Sequence, residues 1–428
     1  MKRRDFLASF AALSLVATDA LATNTKSSTK PSAAKTTPAK SKKGKAVASK
    51  PAQRQPASRQ RQKIEYKPPP ARPVAHTADD PITETPPVGT SAARLPPVKA
   101  PEPPTEWRTY EITTTVNLKS AGLNRLWLPL PLNQDTLFQR TLGHSWQGNP
   151  SSTNMRRLPD GDLEVFHCEW RDGTAGNLQL KTLVTTADRH FDVTKRTVAP
   201  ERDDILRRNL QASQLIPNDG LAFQLGERIV GRIKDPVAQA KSIYDWVADN
   251  AIYDPSLPPC GSGDVRRQLI SALYGGRSAD INGLFVSICR AIGIPARCVY
   301  GLRVAPSRLF RNLGLLTDEA TRSQHVRAEF YVPGYGWIPV DPSDIRRAIA
   351  LEGLSDRDSK LLSLKKILFG VWEMNWIAFN VGTDISLPGQ NSVIPFLLLP
   401  QLESPNGHFD GSQPTAIQYS ISAKRIEL

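Results

Sequence analysis

The chain has 428 residues, 39% hydrophobic and 22% charged, enough for two domains and tails. Its formal net charge is +14, but residues 1–105 hold 19 Lys and Arg against 7 Asp and Glu, or +12, while the remaining 323 residues hold 36 against 34, or +2. The basic pI therefore describes the tail, and with no recognition motif beside the charge it does not point to nucleic acid.

In chain order, Met1-Lys2-Arg3-Arg4 opens a positive segment, residues 6–17 are apolar, and Ala20-Leu21-Ala22 follows. That order reads as a signal peptide over residues 1–22. Arg3-Arg4 ahead of Phe6-Leu7 points to the twin-arginine route, hence a periplasmic or otherwise exported protein of a bacterial envelope. No later segment reaches the roughly 18 apolar residues of a membrane span. Residues 23–105 contain 16 of the 36 prolines, together with Lys, Ala, Ser and Thr, and almost no aromatics. Such a composition cannot bury a core, so a disordered linker is expected. It serves either as a solvated spacer or as a contact for anionic envelope polymers.

Residues 106–198 carry short β-type runs around Tyr110, Leu126, Val165 and Leu180, which predict a small antiparallel sandwich. From residue 199 helices dominate. Residues 222–233 form one candidate, and residues 235–250 another, with Pro236 in the first turn. Ile281, Leu284, Phe285, Ile288, Cys289 and Ile292 then recur at helical spacing behind Ser278. Gly293 ends that helix and Pro295 blocks its continuation. Phe330, Val332, Trp337, Ile338 and Val340 fit two strands joined by Pro333-Gly334-Tyr335-Gly336. The domain is placed at residues 199–350, with residues 351–428 as a C-terminal extension packed on it. The aromatic cluster around Trp372 and Trp376 reads as core.

Three positions carry chemistry. Ser278 opens the helix, His325 opens the first strand and Asp341 closes the second. In a Cys-His-Asp hydrolase or acyltransferase these places hold nucleophile, base and orienter. A thiol at a helix N-terminus is favoured as thiolate, and the N–H groups there can hold an oxyanion.

The segments Gly293-Ile294-Pro295-Ala296-Arg297, His325 with Ala328-Glu329-Phe330-Tyr331, and Gly336-Trp337-Ile338-Pro339-Val340-Asp341-Pro342 resemble the transglutaminase-like superfamily. Cys260-Gly261-Ser262-Gly263-Asp264 further resembles a segment of its exported bacterial branch. The resemblance runs from about Trp107 to the C-terminus. It implies an α+β fold, a papain- or transglutaminase-like core behind a small antiparallel β domain, and a peptide or amide-bearing ligand. Members of the family usually have Cys-Ala-Asp where this chain has Ser278-Ala279-Asp280.

That substitution leaves several readings open. Serine is a good N-cap, so it can replace cysteine without harm to the fold and leave a catalytically impaired, ligand-binding site. Losing an activated nucleophile costs roughly 10⁴–10⁶ in rate, by analogy with triad knockouts. Alternatively, Ser278, His325 and Asp341 act as a serine-based acyl-transfer or amidase triad on periplasmic peptides. A third reading is an envelope scaffold working through its basic tail. Cys260, in a Pro/Gly-rich loop expected to be exposed, is a lesser candidate for a displaced nucleophile. Cys168, Cys260, Cys289 and Cys298 allow three disulfide pairings. No metal-ligand spacing is evident, no cofactor is implied, and the other histidines have no assigned role.

Overall fold

The computed structural model describes residues 104–158, 162–171, 175–192 and 198–427. The expected signal peptide lies outside these residues, as does the linker apart from its last two positions. The described residues belong to one compact unit.

Alternating side chains build a two-sheet sandwich. In one sheet Arg108–Leu118 lies between Asn177–Thr186 and the last strand, Ile417–Ile426, with Gln139–Gly148 at the far edge. In the other, Asn124–Pro129 pairs with Glu164–Trp170 and with Gln401–Ser404. Val116, Leu126, Phe166, Trp170, Leu180 and Ile417 fill the space between them. This period-2 burial is what a half-buried strand pattern dictates. The expected sandwich is present, but residues 399–426 complete it. The C-terminal extension is therefore divided between the two layers rather than forming one of its own.

The second layer is an antiparallel sheet in the order Gly336–Val340, Gln324–Val332, Ala296–Arg303, Trp376–Asn380. Helix Ser278–Ala291 packs across Gln324–Val332, with helices Gly220–Val230, Pro236–Asn250 and Pro342–Glu352 around it. Phe285, Ile288 and Phe330 are fully buried at that seam. Asp235 caps Pro236–Asn250 by accepting from the Ala238 N–H at 2.7 Å, and Pro236 occupies the first turn as read from sequence. The turn to Gly336–Val340 places Gly334 and Gly336 at φ +85° and +75°, where glycine is favoured.

The layers are joined at one sheet edge. Gln139 Nε2 donates to Ala378 O at 2.7 Å, and the Ala378 N–H donates back to Gln139 Oε1 at 2.6 Å. Trp372 and Trp376 are 2% exposed, so the aromatic cluster is core. Among the described residues no helix is long and apolar enough to cross a membrane.

Candidate active site

The helix start is built around one carboxylate. Asp280 Oδ2 accepts from the Arg277 N–H at 2.8 Å. Its Oδ1 accepts from the Gly263 N–H at 2.8 Å and from Ser262 Oγ at 3.0 Å. A Cβ on Gly261, at φ +87°, would fall 1.8 Å from Asp280 Oδ2. The Cys-Gly-x-Gly-Asp segment thus wraps the first turn, and its glycines allow the backbone to close on the carboxylate. Burial pushes the Asp280 carboxyl up, opposed by these hydrogen bonds.

Ser278 is the first helical residue, not the cap; Arg277 takes the cap position. The sequence expectation of a capping hydroxyl is corrected accordingly. The Ser278 side chain is buried, and its Oγ accepts from the Val326 N–H of the neighbouring strand at 3.0 Å. The strand Gly336–Val340 pairs only from Ala328 onward, which leaves the Val326 N–H turned to the helix. Of the first-turn donors, the Ala279 N–H is taken by Cys260 O at 2.7 Å.

His325 and Asp341 meet as the sequence reading requires. His325 Nε2 lies 2.7 Å from Asp341 Oδ2. A carboxylate there holds the Nε2–H tautomer and leaves Nδ1 as the basic nitrogen. Asp341 Oδ1 accepts from Ser343 Oγ at 2.7 Å, from Asn282 Nδ2 at 3.1 Å and from the Asp344 N–H at 3.3 Å. It is also the N-cap of Pro342–Glu352, so one carboxylate orients the imidazole and starts a helix. Asn282 spans the seam, since its Nδ2 donates to Val326 O at 2.7 Å as well. On the other face, Trp376 Nε1 donates to His325 O at 2.9 Å.

Ser278 and His325 line the same cavity, of about 520 Å³. No hydrogen bond joins Ser278 Oγ to His325 among the described residues. Arg303 and Arg327 surround the imidazole. Arg303 Nη2 reaches Asp344 Oδ1 at 2.5 Å, and Arg327 Nε stands 3.7 Å from Asp341 Oδ2. Burial, then the charges of Arg303, Arg327 and Arg347, hold His325 well below its usual pKa despite Asp344. Burial likewise draws Arg327 down to about 10. The site therefore disfavours imidazolium, the partner that a thiolate would need.

Cys260 is buried rather than exposed, which corrects the loop expectation, and burial pushes its thiol up to about 12. That is the opposite of an activated nucleophile. All four cysteines are buried and unpaired among the described residues. His325, Asp341 and Asp344 offer three ligand atoms within 4.8 Å of one another, a cluster that sequence spacing did not reveal. Arg303 already pairs with Asp344, and His325 is hydrogen-bonded to Asp341, so both carboxylates are engaged within the protein. Sequence reasoning also missed Arg303, Arg347 and Gln324, because isolated arginines and glutamines carry no spacing signal. Asp344 had a faint one, as the third residue of a helix opened by Asp341.

This is the layout of a papain-like α+β core. Residues 224–342 match the family model described as transglutaminase-like superfamily. An uncharacterized protein of Haemophilus influenzae is 29% identical, aligned over 75% of this chain and 93% of its own length. Two crystal structures are similar at lower identity. A candidate cysteine protease from Cytophaga hutchinsonii is 18% identical with a TM-score of 0.43, covering 75% of this chain and 99% of its own. The periplasmic domain of TgpA from Pseudomonas aeruginosa is 17% identical with a TM-score of 0.30, covering 59% and 92%.

Proposed function

We propose that this protein is an exported transglutaminase-like module that binds peptides or amide-bearing chains and is catalytically impaired, because Ser278 stands where the family has its nucleophilic cysteine. The observation that supports this most directly is the role of the hydroxyl. Ser278 Oγ accepts a backbone hydrogen bond from Val326 and has no bond to His325. A neutral imidazole cannot stabilise an alkoxide as imidazolium stabilises a thiolate, and a hydroxyl is far harder to deprotonate. The retained His325–Asp341 pair then serves as a fixed wall of polar groups in a binding cavity. The amino-terminal segment, read as a twin-arginine signal, supports export of the folded chain.

A second reading is favoured by one feature. An imidazole held neutral, with Nδ1 free as a base, is what a serine nucleophile requires. In that case Ser278, His325 and Asp341 would acylate on activated substrates. Two measurements test the site, and the second separates the readings. Ser278→Cys places a thiol at a helix start beside Arg277, so its rate of alkylation by iodoacetamide against pH should report a pKa below the ordinary value of about 8.5. An ordinary value would count against the site geometry. The wild-type chain should show no burst with an activated acyl ester, and a stable acyl adduct on Ser278 seen by mass spectrometry would overturn the impaired reading.

A further inference from the structure

The cavity beside Ser278 contains more positive charge than its own carboxylates balance. Arg277, Arg303, Arg322 and Arg347 line it, against Glu319 and Asp344. Arg303 and Asp344 pair with each other. Arg277 and Arg347 make hydrogen bonds only to neutral acceptors. Arg277 Nη2 donates to Pro255 O at 2.8 Å, and its Nε is buried without a partner. Arg347 donates to Asn312 O and to the Tyr253 hydroxyl, both at 2.6 Å. Both guanidiniums lie near the Tyr253 ring, at 5.9 Å and 5.4 Å from its centroid. One aromatic side chain therefore holds two cations at the cavity wall, and no carboxylate of the described residues forms a close ion pair with either, although Asp344 favours the charged form of Arg347 and Asp254 feels the charge of Arg277. Burial, then the charge of Arg303, hold Arg347 below the usual range for arginine, opposed by Tyr253 and Asp344.

Gln324 lines the same cavity and is 6% exposed. Its Nε2 donates to Thr321 O at 2.9 Å, which fixes the amide orientation. Its Oε1 is buried without a donor. Buried polar groups left without partners are costly, and such groups in a cavity mark a ligand. The cavity thus offers arginine donors with no carboxylate hydrogen-bonded to them and an amide oxygen that lacks a donor.

We propose that the cavity selects a peptide carrying a free carboxylate, which docks against Arg277 and Arg347 while a peptide N–H of the ligand meets Gln324 Oε1. This deepens the peptide-binding reading of the Ser278 site and rests on it. Planar guanidiniums recognise carboxylates through paired hydrogen bonds, and in a partly closed cavity such contacts are stronger than in water.

Isothermal titration of the full chain with three probes tests it: acetyl-Ala-Gln-Ala with a free C-terminal carboxylate, the same peptide as its C-terminal amide, and inorganic phosphate. The free-carboxylate peptide should bind about 10–100-fold more tightly than the amide, the worth of a charge-assisted hydrogen-bonded contact. Arg277→Gln, which leaves the Arg347–Tyr253 contact in place, should abolish most of that preference, as should Arg347→Lys. Gln324→Leu should weaken both peptides equally. Equal binding of acid and amide would overturn carboxylate selection while leaving the peptide reading intact. Binding of phosphate alone, or of no probe, would remove the peptide reading and this proposal together. A preference unchanged in both arginine variants would place the carboxylate elsewhere and also overturn it.

Discussion

At the scale of single residues, the site is a set of buried charges that settle one another. Asp341 is fully buried yet accepts from an imidazole, a hydroxyl, an amide and a backbone N–H, so its desolvation is offset. His325 is held neutral by burial and by arginines, and this has a pH consequence. In the unfolded chain the imidazole protonates near its ordinary pKa of about 6.5. In the folded chain it does so well below that value. Between the two, the unfolded state binds more protons, so stability is complete above about pH 6.5 and falls as pH drops through that window, by at most about 1.4 kcal/mol per pH unit for one group. His144 and His167 are lowered by burial in the same sense, so the comparison must be made with His325→Gln. Urea unfolding from pH 7.5 to pH 5 should show a shallower decline in that variant. Parallel curves would mean that His325 titrates normally in the fold. Ser278, His325 and Asp341 were legible because motif positions carried them, whereas Val326 as the partner of the Ser278 hydroxyl was not, because a backbone N–H leaves no trace in side-chain identity.

At the scale of elements, the site depends on a close approach between two strands. Gly301 pairs with His325 on one side and with Ala378 on the other. A Cβ there would lie 2.1 Å from Ile377 O and 2.4 Å from the Trp376 ring. The missing side chain is what allows the Trp376 indole to lie under the His325 strand and donate to His325 O. Gly301→Ala should therefore destabilise the fold by about 3 kcal/mol, the upper end of ordinary overpacking, with a matching fall in the urea midpoint. A change below about 0.5 kcal/mol, typical of an unconstrained surface position, would show that the two strands can part without cost. Three helices, by contrast, were readable in advance, whereas Pro342–Glu352 was not. Apolar spacing, Pro236 and the Gly293-x-Pro295 stop fixed them to within a few residues, because those signals are local.

At the scale of the whole molecule, the last strand ties the sandwich to the site. Ile417–Ile426 pairs along Arg108–Leu118, while its Ile421 and Ala423 are buried in the main core. On its other side it supports the loop bordering the cavity: the Ala320 N–H donates to Ile421 O at 2.7 Å, and the Ala423 N–H to Asp318 O at 2.8 Å. A chain ending at residue 415 should thus be cut faster by protease between residues 317 and 323, with the rate read from fragment masses. An unchanged rate would show that the loop stands without the strand. By itself the sequence determined the β-then-helical order, the helix carrying Ser278, the His325–Asp341 partnership and the near-neutral balance outside the basic tail, because periodicity, turn residues and motif spacing act over short distances. The tertiary structure alone decided that the C-terminal strands close the first sandwich, that Cys260 is buried, that Ser278 bonds to Val326, and that Arg277 and Arg347 stand by one tyrosine without a close ion pair. Those contacts join residues far apart in the chain, and only packing brings them within reach.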